Sequence, residues 1–151
     1  PAMLLDLKGA EARILFENLQ RSAPDVQALL LPLEIPLRAE ECLDAENWTH
    51  ELKTIGVEAR FLRGKALIID ALPLGIEEED VQDFLQGFRT DRKIASMICR
   101  FCRSRKKSYT LEEAAKIDQM LRKCSDALYD PLGRKIRREI QEQQVLEWFT
   151  Q

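Results

Sequence analysis

The chain has 151 residues, of which 45% are hydrophobic and 32% are charged, and its formal net charge is -3. This length suits one domain or two small lobes, and the composition excludes a disordered segment. No apolar run approaches the ~20 residues of a membrane span, and the small net charge provides no global attraction to nucleic acid.

The spacing of apolar residues predicts an α+β fold that combines helices with a mixed sheet. In the first half of the chain we expect a strand at 3–5, a helix at 9–20, a turn at 22–25, an edge strand with two prolines at 27–37 and a helix at 39–54. A hairpin of strands 57–62 and 66–71 follows, and then a helix at 77–88 and a helix from 94 that ends in the cations of 103–107. The remaining elements are a helix from 110 to about 124, a loop at 126–134, a strand at 135–140 and a last helix at 141–149. The residues expected on the inward helical stripes are Ala10, Ile14, Leu15, Leu19, Leu43, Trp48, Leu52, Val81, Phe84, Leu85, Phe88, Ile94, Met97, Ile98, Phe101, Val145, Leu146 and Phe149.

The charged residues are distributed unevenly. Five of the eight residues from 100 to 107 are cations, as are four of the five from 134 to 138, whereas residues 77–80 are all acidic. Each cluster taken singly is typical of a solvated helix end.

Four cysteines, Cys42, Cys99, Cys102 and Cys124, raise the question of zinc or a disulfide. Cys99 and Cys102 are spaced as a Cys-x-x-Cys pair inside a predicted helix, but a zinc ribbon needs a second such pair and the sequence has none. We therefore expect free, buried or partly buried thiols and a reducing cytoplasm. A small zinc or thiol-redox module is the alternative.

Four segments carry a family resemblance. The segment Asp6–Glu17 (DLKGAEARILFE) follows a short apolar strand, and Ile98–Arg100 (ICR) lies in a predicted helix. A capping box starts at Thr110, and Asp130–Lys135 (DPLGRK) forms a loop. In this order the segments resemble the C-terminal domain of the MutL mismatch-repair family. The corresponding family motifs are Asp-Gln-His-Ala-x-x-Glu-x-x-x-x-Glu, Ala-Cys-Arg and Cys-Pro-His-Gly-Arg-Pro.

The resemblance implies an endonuclease site that has lost ligands. The family's histidine and first glutamate, which help to hold catalytic metal ions, correspond to Lys8 and Ala12, and its second cysteine and histidine correspond to Asp130 and Leu132. Neither an ammonium nor a methyl group ligates a divalent cation. The remaining donors at the matching positions are Asp6, Glu17, Cys99 and Asp130.

These losses predict a non-catalytic domain. Metal-assisted cleavage of a phosphodiester needs converging ligands around the metal, and both imidazoles are missing. One alternative is a metal-dependent nicking endonuclease with a rearranged site. The simplest interpretation of Asp6 and Glu17 is a strand-end cap and a solvated helix residue.

The segment Gln27–Pro32 (QALLLP) resembles the peptide by which MutL proteins dock onto the replication sliding clamp. Gln27, Leu29, Leu31 and Pro32 are the candidate contacts, since an extended segment can place alternate side chains in a partner pocket. Three adjacent leucines are equally typical of a core strand, and both interpretations stay open.

The resemblance also implies that the basic clusters approach the lost metal site. Lys8, Arg103, Arg105, Arg134 and Lys135 are then candidates for a groove that holds a DNA phosphate without cutting it.

We therefore expect the homodimerisation domain of a longer MutL-like protein whose N-terminal part is an ATPase. Residues 1–37 and 92–151 would form the dimerisation lobe, and 38–91 an inserted outer lobe. The expected partners are a second copy, the sliding clamp, DNA weakly, and a mismatch-recognition protein; no membrane and no cofactor are implied. The Leu29–Leu37 strand and the last helix are the candidate dimer interfaces.

Overall fold

The structure is a computed structural model that describes residues 2–21, 25–105 and 108–150, with Asp91 described by its backbone only. Most of the predicted turn at 22–25, and the cations Lys106 and Lys107, lie outside these residues. The helices and strands are β1 (Ala2–Leu5), α1 (Leu7–Gln20), β2 (Val26–Pro36), α2 (Ala39–Cys42), α3 (Ala45–Lys53), β3 (Glu58–Leu62), β4 (Ala66–Pro73), α4 (Val81–Asp91), α5 (Ile94–Ser104), α6 (Leu111–Arg122), β5 (Arg137–Ile140) and α7 (Glu142–Thr150).

The predicted α+β class is confirmed. The predicted helices and strands are present with bounds shifted by a few residues, except that the helix expected at 39–54 is divided into α2 and α3. The strands of the described residues form two antiparallel sheets rather than one mixed sheet, because each strand pairs with an antiparallel neighbour. None of the described helices is long and apolar enough to cross a bilayer.

The chain divides into two compact units. The first unit comprises residues 1–16 and 94–151, and the second comprises residues 17–93. The sequence prediction placed the first boundary after residue 37, whereas β2 falls in the second unit because its backbone hydrogen bonds go to β4.

The first unit is built on the pairing of β1 with β5, which runs from Ala2 opposite Ile140 to Leu5 opposite Arg137. Its helices contribute buried apolar side chains, as the 3.6-residue spacing predicts. The small core between α1, α6 and the segment before β5 contains Ala10, Ile14, Ile117, Leu121 and Ile136. Met97, Ile98 and Phe101 of α5 are also buried, which confirms their predicted orientation.

The second unit contains the sheet of β2, β4 and β3, with β4 in the centre. Its helices bury Leu52, Phe84 and Phe88, and the Phe88 ring meets the Trp48 ring edge-on with centroids 5.7 Å apart. The prolines of β2 are tolerated because β2 is an edge strand, as predicted.

The edge strand β2 contains a bulge. Ala28 lies opposite Ala71 and Leu33 lies opposite Ile69, so the four residues from Leu29 to Pro32 have only Asp70 between these pairs. Such an insertion interrupts the hydrogen-bond ladder and changes the direction of side chains. Leu30 is fully exposed as a result, and Leu31 is 79% exposed.

The prediction that Leu43 faces the core is wrong, since this side chain is 86% exposed. The helix breaks after Cys42, and the buried position in α2 belongs to Glu41 instead. The Glu41 carboxylate accepts hydrogen bonds from Arg89 Nη2 at 2.7 Å and from the Arg38 backbone N–H at 2.9 Å. These donors, with Arg89 the largest cause, lower the pKa of Glu41 to about 2 against the opposing effect of burial.

The prediction that the last helix faces inward is also wrong. No residue of α7 is buried, and Leu146, Trp148 and Phe149 are 57%, 63% and 83% exposed. The apolar spacing correctly indicated a helix, but the surface that would cover its stripe is not part of the first unit.

Candidate functional site

Asp6 occupies the junction between β1 and α1. Its Oδ1 accepts a hydrogen bond from the Gly9 backbone N–H at 3.1 Å, and its carbonyl accepts one from the Ala10 N–H at 2.9 Å. An aspartate in this place caps the helix by pairing amide groups that have no partner within the helix. The strand-end cap expected from the sequence is therefore present.

Gly9 leaves room for the close approach of the Asp6 carboxylate. A Cβ atom added at Gly9 would lie 2.7 Å from Asp6 Oδ2 and 3.4 Å from Arg103 Nη2. A side chain at this position would therefore displace the Asp6 carboxylate, which pairs with Arg103.

Asp130 holds the turn that precedes β5. Its Oδ1 accepts hydrogen bonds from the backbone N–H groups of Leu132 and Arg134, each at 2.9 Å. Its Oδ2 accepts one from Arg134 Nε at 2.8 Å. Gly133 lies in this turn with a φ of 85°, a conformation that favours glycine. Asp130 is 1% exposed, so its charge is neutralised inside the protein.

Arg103, at the end of α5, connects the two aspartates. One guanidinium nitrogen, Nη2, lies 2.8 Å from Asp6 Oδ2 and 3.3 Å from Asp130 Oδ2. Asp6 is the largest cause of the raised pKa of Arg103, and Asp130 contributes further. A fixed cation thus occupies the space between the two carboxylates.

Two further cations bind backbone carbonyls around the aspartates. Lys8 Nζ donates to the Arg103 carbonyl at 3.1 Å, which caps the C-terminal end of α5. Arg13 donates from Nε to the Tyr129 carbonyl at 2.8 Å and from Nη2 to the Asp130 carbonyl at 3.0 Å. We call Asp6, Lys8, Arg103, Asp130 and Arg134 the ion-pair cluster.

Cys99 is buried beside this cluster. Burial raises the pKa of its thiol, and the Asp130 carboxylate raises it further, although Arg134 and the Leu132 N–H act in the opposite direction. A metal ligand must be the thiolate, and here the neutral thiol is favoured.

The residues of the ion-pair cluster do not fit a divalent metal. Both oxygens of Asp130 accept hydrogen bonds from protein donors, and the Arg103 guanidinium lies between Asp130 and Asp6. No three His, Cys, Asp or Glu side chains of the described residues are grouped so that they could hold a metal ion. Glu17 belongs to the second unit, Ala12 is buried, and the Leu132 side chain is 46% exposed.

The candidate DNA contacts differ in their exposure and in the contacts that they make within the protein. Arg103 is committed to Asp6 and Asp130, and Lys8 to the end of α5. Arg134 remains 51% exposed although it pairs with Asp130, and Arg105 lies with its guanidinium carbon 5.0 Å from the centre of the Phe101 ring. Lys135 is exposed. DNA binding by these residues stays a prediction.

The other cysteines are not in disulfides. Cys102 is buried, and Cys42 and Cys124 are half-buried. Burial, with a smaller contribution from Glu11, raises the pKa of Cys102 to about 12. Such a thiol is a poor nucleophile at neutral pH.

The second candidate site is the bulge of β2. Gln27 pairs with Leu72 in the ladder, whereas Leu29, Leu31 and Pro32 lie in the four-residue bulge. A cleft of about 250 Å³ adjoins the bulge. Its lining residues are Gln27, Ala28, Leu29, Leu30, Leu72, Ile76, Glu77, Glu78 and Glu79.

Sequence reasoning missed the roles of Gly9 and Arg13 and the pairing of Arg103. A glycine within the first turn of a helix is an available signal, because it is unfavourable there unless another group approaches closely. Arg103 and Asp6 are 97 residues apart in the chain, and no local pattern connects them.

Comparisons with known proteins agree with the resemblance. The family model described as the MutL C terminal dimerisation domain matches residues 2–109. The DNA mismatch repair protein MutL of Elusimicrobium minutum is 24% identical over 89% of this chain and 25% of that protein. The protein of the same name from Thermodesulfovibrio yellowstonii is 24% identical over 97% of this chain and 30% of that protein.

The chain thus spans about a quarter to three-tenths of the length of these two relatives. The family model covers well over half of the chain. The family resemblance predicted from four degenerate segments is confirmed, and the chain belongs to the family of MutL C-terminal dimerisation domains.

Proposed function

We propose that this domain is the non-catalytic homodimerisation module of a MutL-like mismatch-repair protein, in which it holds together two chains that carry N-terminal ATPase modules. The observation that carries this proposal is the exposed apolar surface of the first unit, on β1 and α7. Monomeric proteins rarely leave large apolar side chains exposed in such number, whereas protein interfaces use them.

The start of the strand β1 is exposed on both faces, whereas Leu5 packs against the core of the first unit. Met3 and Leu4 are neighbours, so their side chains point to opposite faces, and they are 55% and 54% exposed. A two-stranded sheet is marginal by itself and needs an apolar face covered. A second chain supplies such cover without any further partner.

The helix α7 offers the larger apolar surface. Leu146, Trp148 and Phe149 are exposed on nine residues of helix, and aromatic side chains dominate the energetics of interfaces. In a symmetric dimer the same helix from both chains contributes, which doubles the apolar area that it can bury. The last helix was one of two interface candidates from the sequence. The other, the Leu29–Leu37 strand, is better assigned to docking on a different partner.

Sedimentation across a range of concentrations tests the dimer. We expect the mass of two chains at about 10 μM, in the range of affinities usual for specific association. A single-chain mass at that concentration would reject dimerisation by this domain.

The carboxylate oxygens of the ion-pair cluster already accept hydrogen bonds from protein groups, which supports the absence of catalysis. In place of a metal ion, the guanidinium of Arg103 lies between Asp6 and Asp130, and it neither polarises a phosphate as a metal does nor binds an attacking water as hydroxide. We expect no nicking of a supercoiled plasmid by this domain in the presence of manganese. Nicking that Asp6→Ala abolishes would establish the nicking-endonuclease alternative instead.

The bulge of β2 supports docking on the sliding clamp, and the units would divide this work: residues 1–16 and 94–151 dimerise, and residues 17–93 dock. A four-residue segment that has left the ladder and ends in proline is free to enter a partner pocket in extended form. Leu30 is fully exposed and Leu31 is 79% exposed, so neither side chain packs in the core of the second unit.

The docking prediction is specific to the bulge. Replacing Leu30 and Leu31 together by aspartate is expected to weaken clamp binding at least about 30-fold, as loss of a central apolar anchor does. Leu62→Asp, which changes a 47% exposed leucine on the opposite edge strand β3, is the matched control and should bind normally. Binding can be measured by surface plasmon resonance with the clamp of the same organism. Equal binding by the bulge variant would exclude this segment as the docking site.

A further inference from the structure

The cleft beside the bulge has a composition that suits one kind of side chain. Its floor is formed by Leu72 and Ile76, which are 2% and 5% exposed. Its rim carries the carboxylates of Glu77, Glu78 and Glu79, three consecutive residues that are all exposed.

The acidic rim is adjacent to the docking segment and not a separate patch of surface. Gln27, Leu29 and Leu30 line the cleft and also belong to the segment that would enter the clamp. Any protein that receives the bulge therefore places part of its own surface over the cleft.

An apolar side chain entering this cleft would desolvate the carboxylates without a partner, which is unfavourable. A long cationic side chain fits better, because its methylene stem covers an apolar floor while its charged end stays among acidic groups. Three like charges in sequence also repel one another, and a cation relieves that repulsion.

From these features we propose that the cleft is a receptor for a lysine or arginine side chain of the protein on which the bulge docks. The docking contact then has two parts that point in opposite directions. Apolar side chains of the bulge enter the partner, and a cation of the partner enters the cleft between β2 and the Glu77–Glu79 rim. This inference rests on the proposed clamp docking and specifies the charge of the clamp surface next to its apolar pocket.

The two parts of the contact differ in their dependence on salt. Burial of leucine is almost independent of ionic strength, whereas a charge pair at the rim of an interface is screened and mainly affects association. Neutralising the rim should therefore remove the salt-dependent part of binding and leave the apolar part.

The test compares two variants with the same change in net charge. The first is the triple variant Glu77→Gln, Glu78→Gln and Glu79→Gln, and the control is Glu46→Gln, Glu51→Gln and Glu58→Gln, whose residues are also exposed in the second unit but do not line the cleft. Both sets lie on the surface, so neither is expected to affect folding. Binding to the clamp is measured at low and at high salt.

We expect the rim variant to bind about 10-fold more weakly than the unchanged domain at low salt, with a flattened salt dependence, and the control to bind normally. Unchanged affinity and salt dependence in the rim variant would overturn the cationic receptor while leaving clamp docking in place. An equal loss in the control would overturn it too, because net charge would then explain the effect. Absence of clamp binding by the unchanged domain would reject the docking proposal and this inference together.

Discussion

Replacing Asp130 by alanine is expected to lower the free energy of unfolding by about 3–5 kcal/mol, as removal of one partner from a buried ion pair does. The substitution deletes the acceptor for two backbone N–H groups of the turn and for Arg134 Nε, and it leaves Arg103 with Asp6 alone. Because Asp130 is 1% exposed, the two N–H groups would lose their acceptor at a buried position, whereas the Arg134 guanidinium, which is 51% exposed, could turn to water. Urea unfolding followed by circular dichroism at fixed protein concentration measures the loss.

Asp126→Ala is the matched control for Asp130. Asp126 Oδ1 also accepts a backbone hydrogen bond, from the Leu128 N–H at 3.1 Å, and its carboxylate lies 3.6 Å from Arg13, but its side chain is 43% exposed. We expect a loss of less than about 1 kcal/mol, the usual value of an exposed pair. Equal losses in the two variants would contradict the role assigned to the buried ion-pair cluster.

The contribution of Asp130 to the free energy of unfolding should also depend on pH. Burial alone would raise the pKa of this carboxyl, but the donors of Arg134 and Leu132 outweigh burial, and the pKa in the folded protein lies below its ordinary value. A depressed pKa stabilises the folded state above the pKa of the unfolded chain, about 3.9, and this stability is lost as the pH falls through the folded value. The difference in the free energy of unfolding between the unchanged domain and Asp130→Ala should therefore be constant above about pH 5 and shrink below about pH 4.

Replacing Trp148 and Phe149 together by glutamate is expected to convert the dimer to a monomer. Burying one large apolar side chain contributes about 1.5–3 kcal/mol, so the loss of two raises the dissociation constant at least about 100-fold. The introduced carboxylates would add the cost of burying a charge at the interface. Sedimentation at about 10 μM, where the unchanged domain is expected to be dimeric, reports the result directly.

Leu111→Glu controls for the general effect of removing an exposed apolar residue from the first unit. Leu111 is 92% exposed at the start of α6, and an acidic residue is favourable in the first turn of a helix. This variant should remain dimeric. A dimer that survives in the Trp148 and Phe149 variant would show that α7 is not the interface, even though its apolar side chains are exposed.

The ion-pair cluster connects three segments of the first unit through opposite charges. Two carboxylates that approach each other repel unless a cation lies between them. Here Arg103 lies between Asp6 and Asp130, and Lys8 and Arg13 bind the neighbouring carbonyls. The junction of β1 with α1, the end of α5 and the turn before β5 are thus linked by these contacts, in addition to the backbone hydrogen bonds between β1 and the segment of Ile136–Ile140.

Local patterns in the sequence were sufficient for most of the secondary structure. Thr110 caps α6 by accepting a hydrogen bond from the Glu113 N–H at 3.1 Å, as the capping box predicts. Gly64 has a φ of 77° in the turn between β3 and β4, in agreement with the predicted hairpin. The stripes of α4 and α5 are buried as their spacing predicts. These features depend on neighbours within a few residues, which a single sequence displays.

The candidate site was predicted only in part. The four degenerate segments identified the family, whereas the loss of metal ligands that the resemblance implies stays a prediction. The sequence did not reveal that Arg103 supplies a counter-ion to both Asp6 and Asp130. The prediction that the basic residues contact DNA stays a prediction. Arg103 and Asp6 are 97 residues apart, and Arg13 and Asp130 are 117 residues apart.

Periodicity, caps and motifs act over short distances along the chain, so they were sufficient to predict most of the helices and strands and the family. The tertiary structure sets which charges neutralise each other and which apolar stripes are covered. In the folded protein Glu41 is buried in place of Leu43, Leu29–Pro32 form a bulge in the ladder between β2 and β4, and α7 is exposed. Burial and ion pairing depend on residues that meet across the fold, and hydrophobicity along the chain does not specify whether the surface that covers a side chain belongs to the same molecule or to its partner.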